Sequence, residues 1–339
     1  MSFQSRVCLL IVVIAWLATA PAARAQDKVR IGLSSISATS GSIWVADEKG
    51  LFKKHGVDVE LIVIGGGAAR VVSSLIAGEI QFSVGGGDAV MRADVRGADG
   101  AMVASPLKTG LQRLVVRPEI KTPADLKGKT VAVTRFGSAS HWALQLFMRK
   151  WNMRNEDVKV LQLGSSPAMF ASLEKNGIDG AVFTIPTFFV AEERGYRVLA
   201  DPLDLDLYYL QGTLDSTRGY LKRNHDQALR VIRGICEGIA YFKKYRKESI
   251  AVMQRKLRIQ SAQERDVKYL EMSYNLLADK IYSPVPLANP KAIETTLNFI
   301  AADEPKVKGA DPKQFVDDSL VREVEASGFI KQLYDKEYR

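Results

Sequence analysis

The sequence predicts an α/β protein of two similar lobes, each built on a mainly parallel sheet, with a cleft between them and a mainly helical C-terminal part. Three observations carry this. Residues 75–84 return as 173–182, with the anchors Leu75, Ile80 and Val84 displaced by the same 98 residues to Leu173, Ile178 and Val182. The parallel extends upstream: Leu51-Phe52, a strand-like stretch 57–64 and Gly65-Gly66-Gly67 are answered by Leu146-Phe147, 158–163 and Gly164-Ser165-Ser166, and Gly41-Ser42 by Gly137-Ser138. Strand and helix signals alternate to about residue 215 and then become helical, which implies parallel sheets covered by helices. The length also exceeds what one hydrophobic core usually serves. The expected division is 1–25 leader, 26–108 first lobe, 109–210 second lobe and 211–339 a helical part bracing the lobes.

The leader has the three parts of a secretory signal peptide: Arg6 as positive region, an apolar run over 7–17 too short to span a bilayer comfortably, and the small-x-small site Ala23-Arg24-Ala25. The mature chain is expected to begin at Gln26. Cys8 lies far from the cleavage point and is lost with the leader, so no lipid anchor follows. Cys236 remains alone, on a stripe with Leu229, Ile232 and Ile239, and reads as a core thiol.

Residues 29–34 form a short apolar strand. Ser42 can cap a helix over 43–54, whose Trp44/Leu51 and Val45/Phe52 pairs, seven apart, share its inner side. A strand over 57–64, a helix marked by Val71, Val72, Leu75 and Ile76, a strand over 80–84, a helix over 88–96 and a strand over 101–104 complete the first unit. Thr122-Pro123-Ala124-Asp125 is a helix start, with proline where its missing N–H costs nothing. The second unit has strands at 129–134, 180–184 and 197–200 and a helix with Ala139, Trp142, Ala143, Leu146 and Phe147 on one face. Segments 104–114 and 201–211 are the expected crossings between lobes, and two crossings make a hinge.

Cleavage removes Arg6 and Arg24 and lowers the net charge from +9 to +7. The remaining excess is scattered beside acidic residues, which reads as solvated helix faces rather than a nucleic-acid footprint. Catalytic patterns are absent: no Gly-x-Ser-x-Gly elbow, no phosphate loop ending in Gly-Lys-Ser/Thr, and no metal-ligand spacing around His55, His141 or His225. Arg70 stands where the third glycine of a dinucleotide fingerprint would be needed.

In open parallel sheets a ligand sits beyond the carboxyl ends of the strands, where helix N-termini present unpaired N–H groups. This places Ser37, Thr39, Ser40 and Ser42 in the cleft after the first strand, Gly66, Gly67 and Ala68 after the second, and Gly86, Gly87 and Asp88 after the third. The second lobe contributes Gly137, Ser138, Ser140 and His141, then Thr184 and Pro186. Ser138 is also an N-cap, and the glycine runs equally serve tight turns. Asp88 either caps its helix or recognises a cationic or amide group; Arg135 either pairs with an anion or is a solvated strand end. The serines and helix termini suit an oxoanion or carboxylate, whereas Asp88, His141 and Trp44 or Trp142 suit a heteroaromatic or amide solute. No metal or cofactor is called for.

The order Trp44-Val45-Ala46-Asp47-Glu48-Lys49-Gly50-Leu51-Phe52, Gly56-Val57-Asp58-Val59-Glu60, Gly65-Gly66-Gly67 and 75–84, then 121–129, 137–141, 183–186, 315–319 and 327–330, resembles the substrate-binding proteins of nitrate/sulfonate/taurine-type ABC importers. The same family includes proteins similar to the pyrimidine-precursor synthase of thiamine biosynthesis. The resemblance covers nearly the whole mature chain. It implies a type II periplasmic binding fold, a soluble periplasmic monomer that closes on a small-molecule ligand, and as partners a membrane permease with its ATPase. An exported enzyme on the same fold, or a receptor feeding a membrane sensor, are its alternatives. Positions matching the family pattern are Gly66-Gly67, Gly87-Asp88, Gly137-Ser138 and Thr184 with Pro186; the 37–42 loop is a weaker match.

Overall fold

The computed structural model describes residues 27–259 and 264–335; the expected leader lies outside them. The chain opens with β1 (Asp27–Leu33), α1 (Gly41–Glu48), α2 (Leu51–Lys54), β2 (Val57–Val63), α3 (Ala68–Ile76), β3 (Phe82–Gly85), α4 (Gly87–Val95) and β4 (Gly100–Ala104). It continues with β5 (Arg113–Val116), β6 (Thr130–Val133), α5 (Ala139–Lys150), β7 (Lys159–Gln162), α6 (Ser166–Glu174), β8 (Gly180–Phe183), α7 (Thr187–Glu193), β9 (Arg197–Ala200) and β10 (Thr213–Thr217). Two five-stranded sheets result, ordered β2-β1-β3-β10-β4 and β7-β6-β8-β5-β9.

The internal repeat is thus structural. In each sheet the first strand of the unit lies between the second and third and is parallel to both. Each sheet also takes one antiparallel strand reached by a crossing: β5 beside β8, and β10 between β3 and β4. The sheets are therefore mixed rather than wholly parallel.

The helix expected over 43–54 is two helices. Gly50, at φ +67°, breaks it, a conformation glycine adopts without steric cost. The seven-residue pairing survives the break, and Trp44, Val45, Leu51 and Phe52 are all buried. The helix start at Thr122 yields one 3₁₀ turn, Pro123–Leu126, closed by a capping box between Thr122 and Asp125.

After β10 come α8 (Arg218–Arg223), α9 (His225–Lys244), α10 (Arg246–Lys256) and α11 (Glu264–Asn275), which runs into a π-helical turn at Leu276–Ile281. Then follow α12 (Pro290–Ala301), α13 (Ser319–Ala326) and α14 (Phe329–Tyr334). α9 lies tightly on α1 and α2. A Cβ at Gly234 would stand 2.4 Å from the Phe52 ring, and one at Gly238 2.6 Å from the Ser42 carbonyl oxygen. The two glycines, one turn apart, open the groove that receives the first lobe's helices. Cys236 beside them is fully buried, which pushes its thiol up to about 12. The buried Glu237 carboxylate is held by Lys54 Nζ at 2.5 Å and His55 Nε2 at 2.8 Å. No helix among the described residues is long and apolar enough to cross a membrane.

Candidate ligand-binding site

The carboxyl ends of the strands in both sheets border one cavity of about 660 Å³, the size of an organic-ligand site. Ser37 and Ser40 line it after β1, Gly66, Gly67 and Ala68 between β2 and α3, and Asp88 in the first turn of α4. Across the gap stand Gly137, Ser138 and Ser140 at the start of α5, with Thr184 and Pro186 after β8. The Ile185–Pro186 peptide is cis. Residues 68, 87, 139 and 166 open helices there, so the repeat directs four helix N-termini at one space.

Three expected site residues stand elsewhere. Trp44 points to the core, 2% exposed, because α1 presents that face to α9. Gly87 is buried against the returning chain: a Cβ there would lie 2.9 Å from two atoms of the Leu210 side chain, so this glycine serves packing. His141, on the third residue of α5, has rotated away from the cleft. It lines a separate cavity of about 190 Å³ with Phe136, Leu144 and Met148, and its Nδ1 accepts the Gly137 N–H at 3.1 Å. Burial lowers the His141 pKa, as a neutral acceptor requires. Ser42 is also buried, its N–H donating to Tyr282 Oη at 3.0 Å.

The serines of the second lobe are largely occupied. Ser138 Oγ donates to the Arg135 carbonyl at 2.7 Å, accepts from Thr134 Oγ1 at 2.9 Å, and caps α5 at the His141 N–H. Ser140 Oγ accepts the Thr134 N–H at 2.9 Å and lies 3.0 Å from Ser138 Oγ. Ser165 caps α6 at Ala168 N–H, and Pro167 removes one of that helix's donors. By contrast, two buried polar atoms in lining residues have no partner among the described residues: Trp142 Nε1 and Thr184 Oγ1.

Among the described residues the charged lining residues are Asp88 and Arg135. Desolvation raises Asp88 to about 6, opposed by Arg92 and by the backbone N–H groups of Asp88 and Ala89. Arg92 is itself engaged by Asp303 and Glu304. Behind Asp88, burial holds Asp215 of β10 well above the usual carboxylate range, with Ser83 Oγ 3.1 Å away.

The sequence reading did not place Gln112, Tyr209, Leu210 and Gln211 in the site; all line the cavity. They lie on the chain segments between β4 and β5 and between β9 and β10, which are tied together. Tyr209 Oη donates to Gln112 Oε1 at 2.5 Å, Leu111 N–H to Gln211 Oε1 at 2.9 Å, and Tyr209 N–H to Thr109 Oγ1 at 3.2 Å. The signal that could have found them is the pair of expected crossings, because chain joining two facing lobes must border the gap between them.

Two sheets of the same order facing across one solute-sized cavity define a two-lobed periplasmic binding-protein fold. Known proteins of that fold are similar over most of their length. The periplasmic aliphatic sulphonate-binding protein SsuA from Escherichia coli matches with a TM-score of 0.69 and 22% identity, over 88% of this chain and 100% of that one. The periplasmic nitrate-binding protein NrtA from Synechocystis PCC 6803 matches with a TM-score of 0.66 and 12% identity, over 91% of each chain. The chain belongs to the NMT1/THI5-like family, whose model matches residues 38–249. A Brucella abortus (strain 2308) protein whose name gives it a provisional binding role is 30% identical over 150 residues, 44% of this chain. The chain spans 45% of that relative's length in the match.

Proposed function

We propose that the protein is the extracytoplasmic solute-binding component of an ABC importer, a monomer that captures a small organic or oxoanion solute between its lobes and delivers it to a permease and its ATPase. The observation that carries this reading is a cavity of about 660 Å³ bounded by both repeated sheets, with both interlobe segments running along its wall. The leader over 1–25 supports export by a cleaved signal peptide without a lipid anchor. Sulphonate- and nitrate-binding neighbours of the same fold support the transport role by analogy.

An enzyme on this fold needs a nucleophile or an acid–base pair at the solute. The sulphonate- and nitrate-binding neighbours favour binding without turnover, by analogy of fold.

Native mass spectrometry tests this. The intact protein from its native host carries one small molecule, which is released on denaturation and rebinds unchanged at one per chain. Conversion of that molecule during incubation, or the lack of any bound or rebinding solute, would contradict it.

A further inference from the structure

We propose that the cleft selects an uncharged organic solute bearing both an N–H or O–H donor and a carbonyl-type acceptor, an amide or lactam being the simplest, rather than an inorganic oxoanion or a simple organic acid. The proposal rests on the solute-binding reading above and narrows it.

The first support is that the anion-binding groups at α4, α5 and α6 are in use, which leaves the uncapped first turn of α3. An anion at a helix N-terminus needs unpaired N–H groups, hydroxyls or a cation. The start of α4 already holds the Asp88 carboxylate, whose charge repels an anion there. Ser138 and Ser140 are bonded to each other and to the 134–135 backbone at α5. At α6 the cap hydroxyl is in use and proline replaces one donor. Among the described residues the lining cation is Arg135, which is exposed, so water competes for it. A fully ionised solute would meet a carboxylate and a solvated guanidinium.

The second support is independent and concerns what remains unpaired. Trp142 is 6% exposed, lines the cavity, and its Nε1–H has no acceptor. An indole N–H only donates, so an acceptor on the solute would satisfy it. Asp88, when ionised, only accepts; its carboxylate already takes N–H groups of its own helix turn, and a donor on the solute adds to them. Thr184 Oγ1 is without a partner and serves either way. The remaining wall is rich in apolar side chains, including Ile36, Val63, Val84, Ile185 and Leu210. A buried site whose polar atoms await both a donor and an acceptor penalises a solute that lacks either.

Matched probes test this: benzamide, benzoate and benzenesulfonate titrated calorimetrically into protein stripped of bound solute, together with mass spectrometry of the molecules released by stripping. Benzamide is expected to bind at least ten-fold more tightly than either acid. Asp88→Asn should weaken benzamide several-fold and tighten benzoate, since it removes the charge that accepts from one and repels the other. Tighter binding of benzoate or benzenesulfonate to the unaltered protein would overturn the proposal. If none of the probes binds, the stripped molecule decides: a neutral donor–acceptor compound supports the proposal and an anion overturns it. No stripped molecule and no binding would remove the solute-binding reading itself, and this inference with it.

Discussion

Gly110 and Tyr209 meet face to face where the two interlobe segments run side by side. A Cβ on Gly110 would stand 1.9 Å from Tyr209 Cζ, and Tyr209 is 1% exposed with Oη bonded to Gln112. The Tyr209 ring also packs at 4.6 Å, centroid to centroid, on Trp142, and both residues line the cavity. The segments that join the lobes are therefore linked to the solute space through two aromatic rings.

Gly110→Ala forces the Tyr209 ring from a fully packed position. Overpacking of this kind costs about 1–3 kcal/mol. Chemical denaturation is expected to show that loss, and Tyr209→Phe, which keeps the ring but leaves Gln112 without its hydroxyl partner, should also lose about 1–3 kcal/mol. Equal stability of Gly110→Ala and the unaltered protein would mean the two segments yield freely.

Ser138→Ala and Ser140→Ala are expected to lower stability by about 1 kcal/mol each, the usual worth of a cap or a buried hydroxyl bond. Solute affinity should change less than three-fold, because both hydroxyls bond within the 134–141 loop. A ten-fold or larger loss of affinity in a normally stable variant would place them on the solute.

Those serines show where the sequence was informative and where it was not. Repetition at a 98-residue interval exposes both βαβ units, because parallel strands and their helices are local and periodic. β5 and β10 escaped that reading. Thr213–Thr217 contains a carboxylate and three hydroxyl residues, which locally looks like a loop; its burial comes from pairing with β3 and β4, more than a hundred residues earlier. The same limit applies at the site. Residues at the strand ends line the cavity, whereas closeness to a helix start says nothing of helix phase, which turns His141 to the opposite side. Tyr209 and Gln112 come together only when the lobes do.

Asp88 gives stability a pH dependence of definite sign. Its pKa rises from 3.8 to about 6 on folding, mainly by desolvation. The folded state then holds a proton that the unfolded state has lost between those values, so stability falls as pH rises through this window, and the full penalty is present above it. The effect is at most about 3 kcal/mol. Unfolding free energies measured from pH 4 to 7.5 should therefore decline more steeply for the unaltered protein than for Asp88→Asn. Parallel curves would show that Asp88 titrates normally.

Glu237→Ala removes a buried carboxylate on α9 from His55 and Lys54. Because Lys54 is half exposed, the expected loss is about 2–3 kcal/mol rather than the larger cost of a fully buried pair. Thermal and chemical denaturation check it, and Glu237→Gln should recover part of the loss. An unchanged midpoint for Glu237→Ala would mean that α9 is held by its glycine-lined packing alone.

Closure of the two lobes on one solute is the central claim, and small-angle scattering tests it most directly. Protein stripped of its solute and then saturated with the same released material is expected to show a smaller radius of gyration, with no change in apparent mass. A scattering profile identical with and without the solute, at a concentration where calorimetry records full occupancy, would contradict it.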